Sequence, residues 1–201
     1  MSITQKWISP LVPMALAVAL AMSPATANGY RAKDKPVPVA NAAMIVTPSR
    51  DWNQLSIKPG KKAETWTLDG EQLNDVTWFG GIAPGEPLVR EISKKRKPLP
   101  KFTSATLLVE LPELLEATYR SAKDIGSFKV ISSAPDRFLG QDGIRFSYEY
   151  VDNDNLPRKG EARAALAKGQ LYMVTFDAPR LHFFDKLLED FHALSDSARL
   201  S

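Results

Sequence analysis

Cysteine is missing from this sequence and histidine nearly so: its 201 residues contain no Cys and two His. Without Cys there is no disulfide, no thiolate nucleophile and no lipid carried on an amino-terminal Cys. His182 and His192 are ten apart in one predicted helix. That turns them about 80° from each other and separates them by about 15 Å, too far to share a metal ion. No His-Glu-x-x-His pair and no Gly-x-Ser-x-Gly elbow occurs, so the zinc-hydrolase and serine-hydrolase signatures are both absent. No metal and no cofactor is expected. Charge of one sign is also scarce: 26 Lys and Arg stand against 23 Asp and Glu, a net +3. That excess is too small to point to nucleic acid.

One apolar run stands out, residues 7–22, preceded by Lys6 and ended by Pro24, with Ala25-Thr26-Ala27 after it. Pro10 and Pro13 interrupt the run, and it falls short of the roughly 18–20 residues that span a bilayer. This is the layout of a secretory signal peptide (residues 1–27) cleaved after Ala27. Cleavage removes one Lys and no acid. Export without disulfides fits a bacterial periplasm better than a small disulfide-stapled secreted scaffold. The expected localisation is therefore periplasmic or secreted. Residues 28–43, rich in Pro, Lys and Ala without a period, read as a flexible lead. Residues 44–201 then form one domain's worth of chain.

Within that domain, 44–47, 65–68, 76–79, 128–133, 144–151, 161–167 and 171–176 read as strands. Asp69-Gly70 turns between two of them through a loop longer than two residues. Trp66 and Trp78 are then placed for cross-strand contact. Ile144, Phe146, Tyr148 and Tyr150 alternate with Arg145, Ser147 and Glu149, the mark of one buried and one wet face. Residues 102–123 are helical in part, with Pro112 kinking one helix or opening a second. Lys168-Gly169 turns into 171–176, whose two faces are both apolar, so this strand is expected at the centre of the sheet. Asp177-Ala178-Pro179 reads as a helix start. Phe184, Leu187, Leu188, Phe191 and Leu194 then form an apolar stripe. The fold class is α+β: an antiparallel sheet of about six strands between helices, an α/β/α sandwich.

The closing pattern of strand, Asp177-Ala178-Pro179 and striped helix resembles the PsbP-like family and the related fold of the Ran-binding nuclear import factor. Ile45-Val46-Thr47-Pro48 followed by Trp52 is similar to that family's opening strand and aromatic. The resemblance implies a twisted antiparallel sheet between helices, in proteins that are mostly non-catalytic binding or assembly factors. It assigns no functional residue here.

Candidate chemistry is sparse. Ser147, Asp177 and His182 supply the residue types of a hydrolase, but chance produces many such triples. Glu110/Glu113 and Glu189/Asp190 sit at solvated helical spacing. Asp152-Asn153-Asp154-Asn155 lacks the glycine and closing Glu of a calcium loop. Trp52, Trp66 and Trp78 are core aromatics or a pocket lining, and core is the commoner fate. The clearest binding candidate is the proline-bearing stretch 80–101 with Arg90, Lys94, Lys95, Arg96, Lys97 and Lys101. Like charges on a loop are usually solvated, but a long loop in a compact domain is often functional. Its expected partner is an acidic protein, a cell-wall polymer or a membrane surface. The function expected is thus an exported non-catalytic accessory or binding protein; the alternative is a periplasmic hydrolase with an unrecognised active site.

Overall fold

The structure, a computed structural model, describes residues 29–41 and 43–201. The expected signal peptide and its cleavage point lie outside the described residues. In chain order the elements are β1 (Gly29–Arg31), β2 (Val37–Pro38), β3 (Met44–Val46), β4 (Trp52–Gln54), β5 (Ala63–Thr67), β6 (Asp75–Ile82), α1 (Leu111–Lys123), β7 (Ser127–Phe138), β8 (Gln141–Val151), β9 (Pro157–Ala167), β10 (Gln170–Pro179), α2 (Phe183–Asp196) and β11 (Arg199–Leu200).

The main sheet has eight strands, in the order β1-β4-β5-β6-β10-β9-β8-β7, and each neighbouring pair is antiparallel. About six were expected. The additions are β1 and β4, each three residues long and too short to show a period. A separate small sheet has the order β11-β3-β2. Residues 29–31 and 37–38, read as part of a flexible lead, are therefore paired. The lead docks because Val39 and Ala40 are buried in the core and because β1 runs along β4.

The strand at 171–176 is central, as its two apolar faces require, lying between β6 and β9. Alternate side chains of β10 enter two different clusters. Tyr172, Val174 and Phe176 pack with Trp66, Trp78 and the Phe184, Leu187, Phe191 and Leu194 stripe of α2. Phe176 stacks on Phe184 and Phe191 at ring-centroid distances of 5.2 and 5.4 Å. Leu171 and Met173 pack with Phe79, Ile144, Phe146 and the Leu111, Leu115 and Tyr119 side of α1. Trp66 and Trp78 meet edge to face at 5.9 Å. Leu188 is only partly buried; the stripe is centred on Leu187.

Two local expectations resolve differently. Pro112 opens α1 in its first turn rather than kinking a longer helix, and the Glu110 side chain accepts the Leu107 N–H at 2.8 Å just before it. Asp177-Ala178-Pro179 does not start a helix. It completes β10, opposite Gly160, Lys159 and Arg158 of β9. The helix begins only at Phe183, after His182 turns the chain with φ 75°. Local capping propensity lost to the ladder, which continues to Asp177 on β6 and to Pro179 on β9.

Candidate functional site

The chain between Ile82 and Leu111 carries no strand and one single-turn 3-10 helix (Leu108–Glu110), yet it is firmly held. Leu88, Leu99 and Phe102 are buried. Phe102 N–H donates to the Glu86 carbonyl at 3.0 Å, and Gly85 N–H to the Phe102 carbonyl at 2.7 Å. Arg90 N–H reaches the Pro59 carbonyl at 2.7 Å, and Lys97 N–H the Ser93 carbonyl at 3.0 Å. The Glu91 carboxylate accepts the Leu99 N–H at 3.0 Å. Glu86 receives Lys62 Nζ at 2.7 Å and the Ala83 N–H at 2.8 Å, and these bonds hold its carboxyl below the usual range. The loop is a built platform whose buried leucines and phenylalanine leave its cations pointing out.

Arg90, Lys94, Lys95, Arg96, Lys97 and Lys101 are all exposed. Lys97 Nζ lies 4.0 Å from Asp124; among the described residues the other five form no ion pair. They do not converge on one point. Arg90, Arg96 and Lys97 border a groove of about 720 Å³ between the loop and α1. Arg90, Lys94 and Lys101 border a smaller hollow of about 350 Å³ on the loop's other side, with Lys61, Lys62 and Glu86. Lys95 borders neither. Ile57, Pro59, Val89, Ile92 and Leu99 give the larger groove an apolar lining, closed on the helix side by Thr118, Tyr119 and Ala122. Two isoleucines on it are unusually bare: Ile57 is 79% exposed and Ile92 96%.

Beneath Tyr119 lies a polar cluster that the sequence reading missed. Asp177 is 1% exposed. Its carboxylate accepts the Tyr119 hydroxyl at 2.5 Å and the Tyr148 hydroxyl at 3.0 Å, and Lys123 Nζ stands 3.9 Å away. The same ammonium sits 3.8 Å from the centre of the Tyr119 ring. Directly opposite Asp177 on β6 is Asp75, whose carboxyl is pushed up to about 6, chiefly by burial. Burial and the Asp177 charge keep the Tyr119, Tyr148 and Tyr150 hydroxyls far above their ordinary range; Tyr119 and Tyr148 are the two that donate to Asp177. Arg158, also buried, donates to the Gln72 carbonyl at 2.6 Å and lies 3.6 Å from Asp152. Gly160 faces Tyr148 across the ladder; a Cβ there would fall 2.3 Å from the ring. Glycine is what lets the ring lie flat on β9 and reach Asp177. The available signal was two tyrosines on the buried face of β8, whose hydroxyls need partners, and an acid closing an apolar strand.

The hydrolase trio is not assembled. Ser147 neighbours Tyr148 on β8 and so points to the other face, where it meets Ser132 Oγ at 2.7 Å. His182 is exposed, edge-on to Phe183. His192 meets Glu161 at 2.7 Å. Asp152 accepts the Asp154 and Leu156 N–H groups of its own loop. Trp52, Trp66 and Trp78 are core. Among the described residues no group of three or more His, Asp or Glu is placed to hold a metal ion.

No protein-family model matches the sequence, and no curated protein matches it. Solved structures do. Cyanobacterial PsbP from Synechocystis sp. PCC 6803 superposes with a TM-score of 0.55 at 10% identity, over 92% of this chain and 99% of that one. The Ran-binding protein Mog1p of Saccharomyces cerevisiae gives 0.47 at 7% identity, over 85% and 96%. LpqN of Mycobacterium tuberculosis, involved in cell envelope biogenesis, gives 0.36 at 8%, over 90% and 87%. The α+β fold of the described residues, a long antiparallel sheet with two helices, is thus similar to that of cyanobacterial PsbP.

Proposed function

We propose that this is an exported, non-catalytic accessory or binding protein that meets an acidic partner through residues 90–101. The observation that carries the reading is the platform itself: buried Leu88, Leu99 and Phe102 hold six exposed cations in place, five of them without an ion pair among the described residues. A chain of nearly balanced charge has concentrated positive charge on one anchored loop. The acidic partner is a protein, a cell-wall polymer or a membrane surface. The reading takes the architecture as an α/β/α sandwich, supported by the separate packing of α1 and α2 on alternate side chains of β10. Export rests on the sequence of residues 1–27, and mass spectrometry of an envelope fraction should find a chain starting at Asn28.

A hydrolase is the second reading, and the facing pair Asp75 and Asp177 is the observation in its favour. Against it, Asp177 is sealed beneath Tyr119 and Tyr148, where no substrate reaches it. The test uses wild type and a variant with Lys94, Lys95, Arg96 and Lys97 changed to Ser. Binding to polyglutamate and to phosphatidylglycerol vesicles is measured at low and high salt. Wild type should bind one of them and release it as salt rises, because exposed charges are screened beyond about 8 Å at physiological ionic strength. The variant should remain folded and bind neither. Equal binding by both proteins removes the loop from consideration. A hydrolytic activity lost in Asp75→Asn would promote the second reading.

A further inference from the structure

The groove between the basic loop and α1 is a different kind of surface from the loop's outer face. Most of its lining is apolar, contributed by Ile57, Val89, Ile92 and Leu99 on one side and Ala122 on the other. At about 720 Å³ it falls inside the roughly 300–1,000 Å³ range of small-molecule sites. Its rim carries Arg90, Arg96 and Lys97, and its far wall Lys123. A purely electrostatic contact with a polymer would need the cations and no apolar trough. A purely apolar contact would leave the guanidinium groups of Arg90 and Arg96 beside it without a carboxylate or phosphate partner. The two features together fit a molecule with an alkyl body and an anionic head.

We infer that this groove binds a single-chain alkyl carboxylate, a fatty acid taken up as a monomer, with the chain against Val89, Leu99 and Ala122 and the head group between Arg90 and Arg96. The inference rests on the binding reading above and adds a small anionic ligand to the acidic partners named there. A monomer is favoured over a bilayer because the half-open trough between loop and helix, about 720 Å³ in volume, has room for one alkyl chain. Guanidinium suits the head group because its forked donors match a carboxylate bidentately. Lys123 already spans Tyr119 and Asp177 and supplies longer-range attraction.

The test is calorimetric titration of the full protein with octanoate, decanoate and dodecanoate, each below its micelle concentration. Dodecyltrimethylammonium is the control of opposite charge. Burying one more methylene is worth about 0.8 kcal/mol, so each two-carbon step should tighten binding on the order of 15-fold until the groove is filled. Ala122 is exposed on α1, so Ala122→Trp blocks the trough without touching the core or the loop's charges; it should abolish binding. Arg90→Ser with Arg96→Ser should weaken dodecanoate by about tenfold or more, the loss of a charge-assisted hydrogen bond, and flatten its salt dependence. The inference is overturned if Ala122→Trp binds like wild type, if affinity ignores chain length, or if the cationic amphiphile binds equally well. Binding to anionic vesicles or polyglutamate that persists in Ala122→Trp, with no response to dodecanoate, would also overturn it while leaving the broader reading intact.

Discussion

Replacing Asp75 by Asn should leave the protein's stability almost unchanged in acid and raise it at neutral pH. The reason lies in the position of the residue. Asp75 begins β6 opposite Asp177, in a partly buried setting. Its carboxyl is raised from 3.8 to about 6: burial is the largest cause and Asp177 adds to it, while the Gln72 N–H and the charges of Lys123 and Arg158 act against it. Between about pH 4 and about pH 6 the folded chain therefore holds a proton at this site that the unfolded chain has released. Stability must fall as pH rises through that window and level off above it. The difference between 3.8 and about 6 corresponds to about 3 kcal/mol, and the partial contact of Asp75 with solvent brings the expected effect to between about 1 and about 3 kcal/mol. Asn resembles the protonated acid and can still accept the Gln72 N–H. Urea unfolding of both proteins at intervals from pH 4 to pH 8 gives the answer as a difference, in which titrating groups remote from Asp75 cancel. The variant should match wild type near pH 4 and exceed it above pH 7. A difference that is flat across the range, or in which wild type gains on the variant as pH rises, would refute the argument.

Asp177→Asn removes the charge that both tyrosine hydroxyls donate to and should cost about 2–4 kcal/mol in urea unfolding. In a double-mutant cycle with Tyr119→Phe the two losses should not add. Gly160→Ala should cost about 1–3 kcal/mol by forcing the Tyr148 ring off β9, and Tyr148→Phe in the same background should recover little, because the clash is with the ring. Phe191→Ala should cost about 3–5 kcal/mol, as expected for a fully buried aromatic stacked on another; a loss near the 0.5 kcal/mol typical of surface sites would mean that α2 is not held by its stripe.

The strands that were legible in the sequence are the ones with a full period. The alternation from Ile144 to Tyr150 and the doubly apolar run from Leu171 to Phe176 needed no tertiary information. The strands β1, β2 and β4 were not legible because two or three residues carry no period, and their pairing depends on partners elsewhere in the chain. Asp177 was misread for a different reason. Asp before Pro is a good local helix start, and only the ladders on either side, together with Tyr119 and Tyr148, make it a strand residue. The basic loop was visible as composition, but its division between two hollows was not, because that depends on where Leu88 and Leu99 enter the core. The groove itself has no sequence signal. Its walls are Ile57, Val89 and Ala122, drawn from three separate parts of the chain.

The pairing of β6 with β10 has a consequence for how the molecule assembles. Val76 sits opposite Phe176, roughly a hundred residues on, and Ile45 opposite Arg199. The ladders from β7 through β10, by contrast, join neighbours across short connections. Local hairpins form in microseconds, whereas distant pairings carry the full cost of closing their loop before any contact returns it. The meander β7–β10 is therefore a natural nucleus, and the strands made first during synthesis dock on it only once β10 is present. Strands β4, β5 and β6 pair among themselves, but the other edge of β6 has no partner until β10 exists, and β3 has no β11 to close on until residue 200 has been made. The join of β6 to β10 is thus the seam that links the amino-terminal strands to the carboxy-terminal meander, and the edge of β6 stays open until the carboxy-terminal strands arrive.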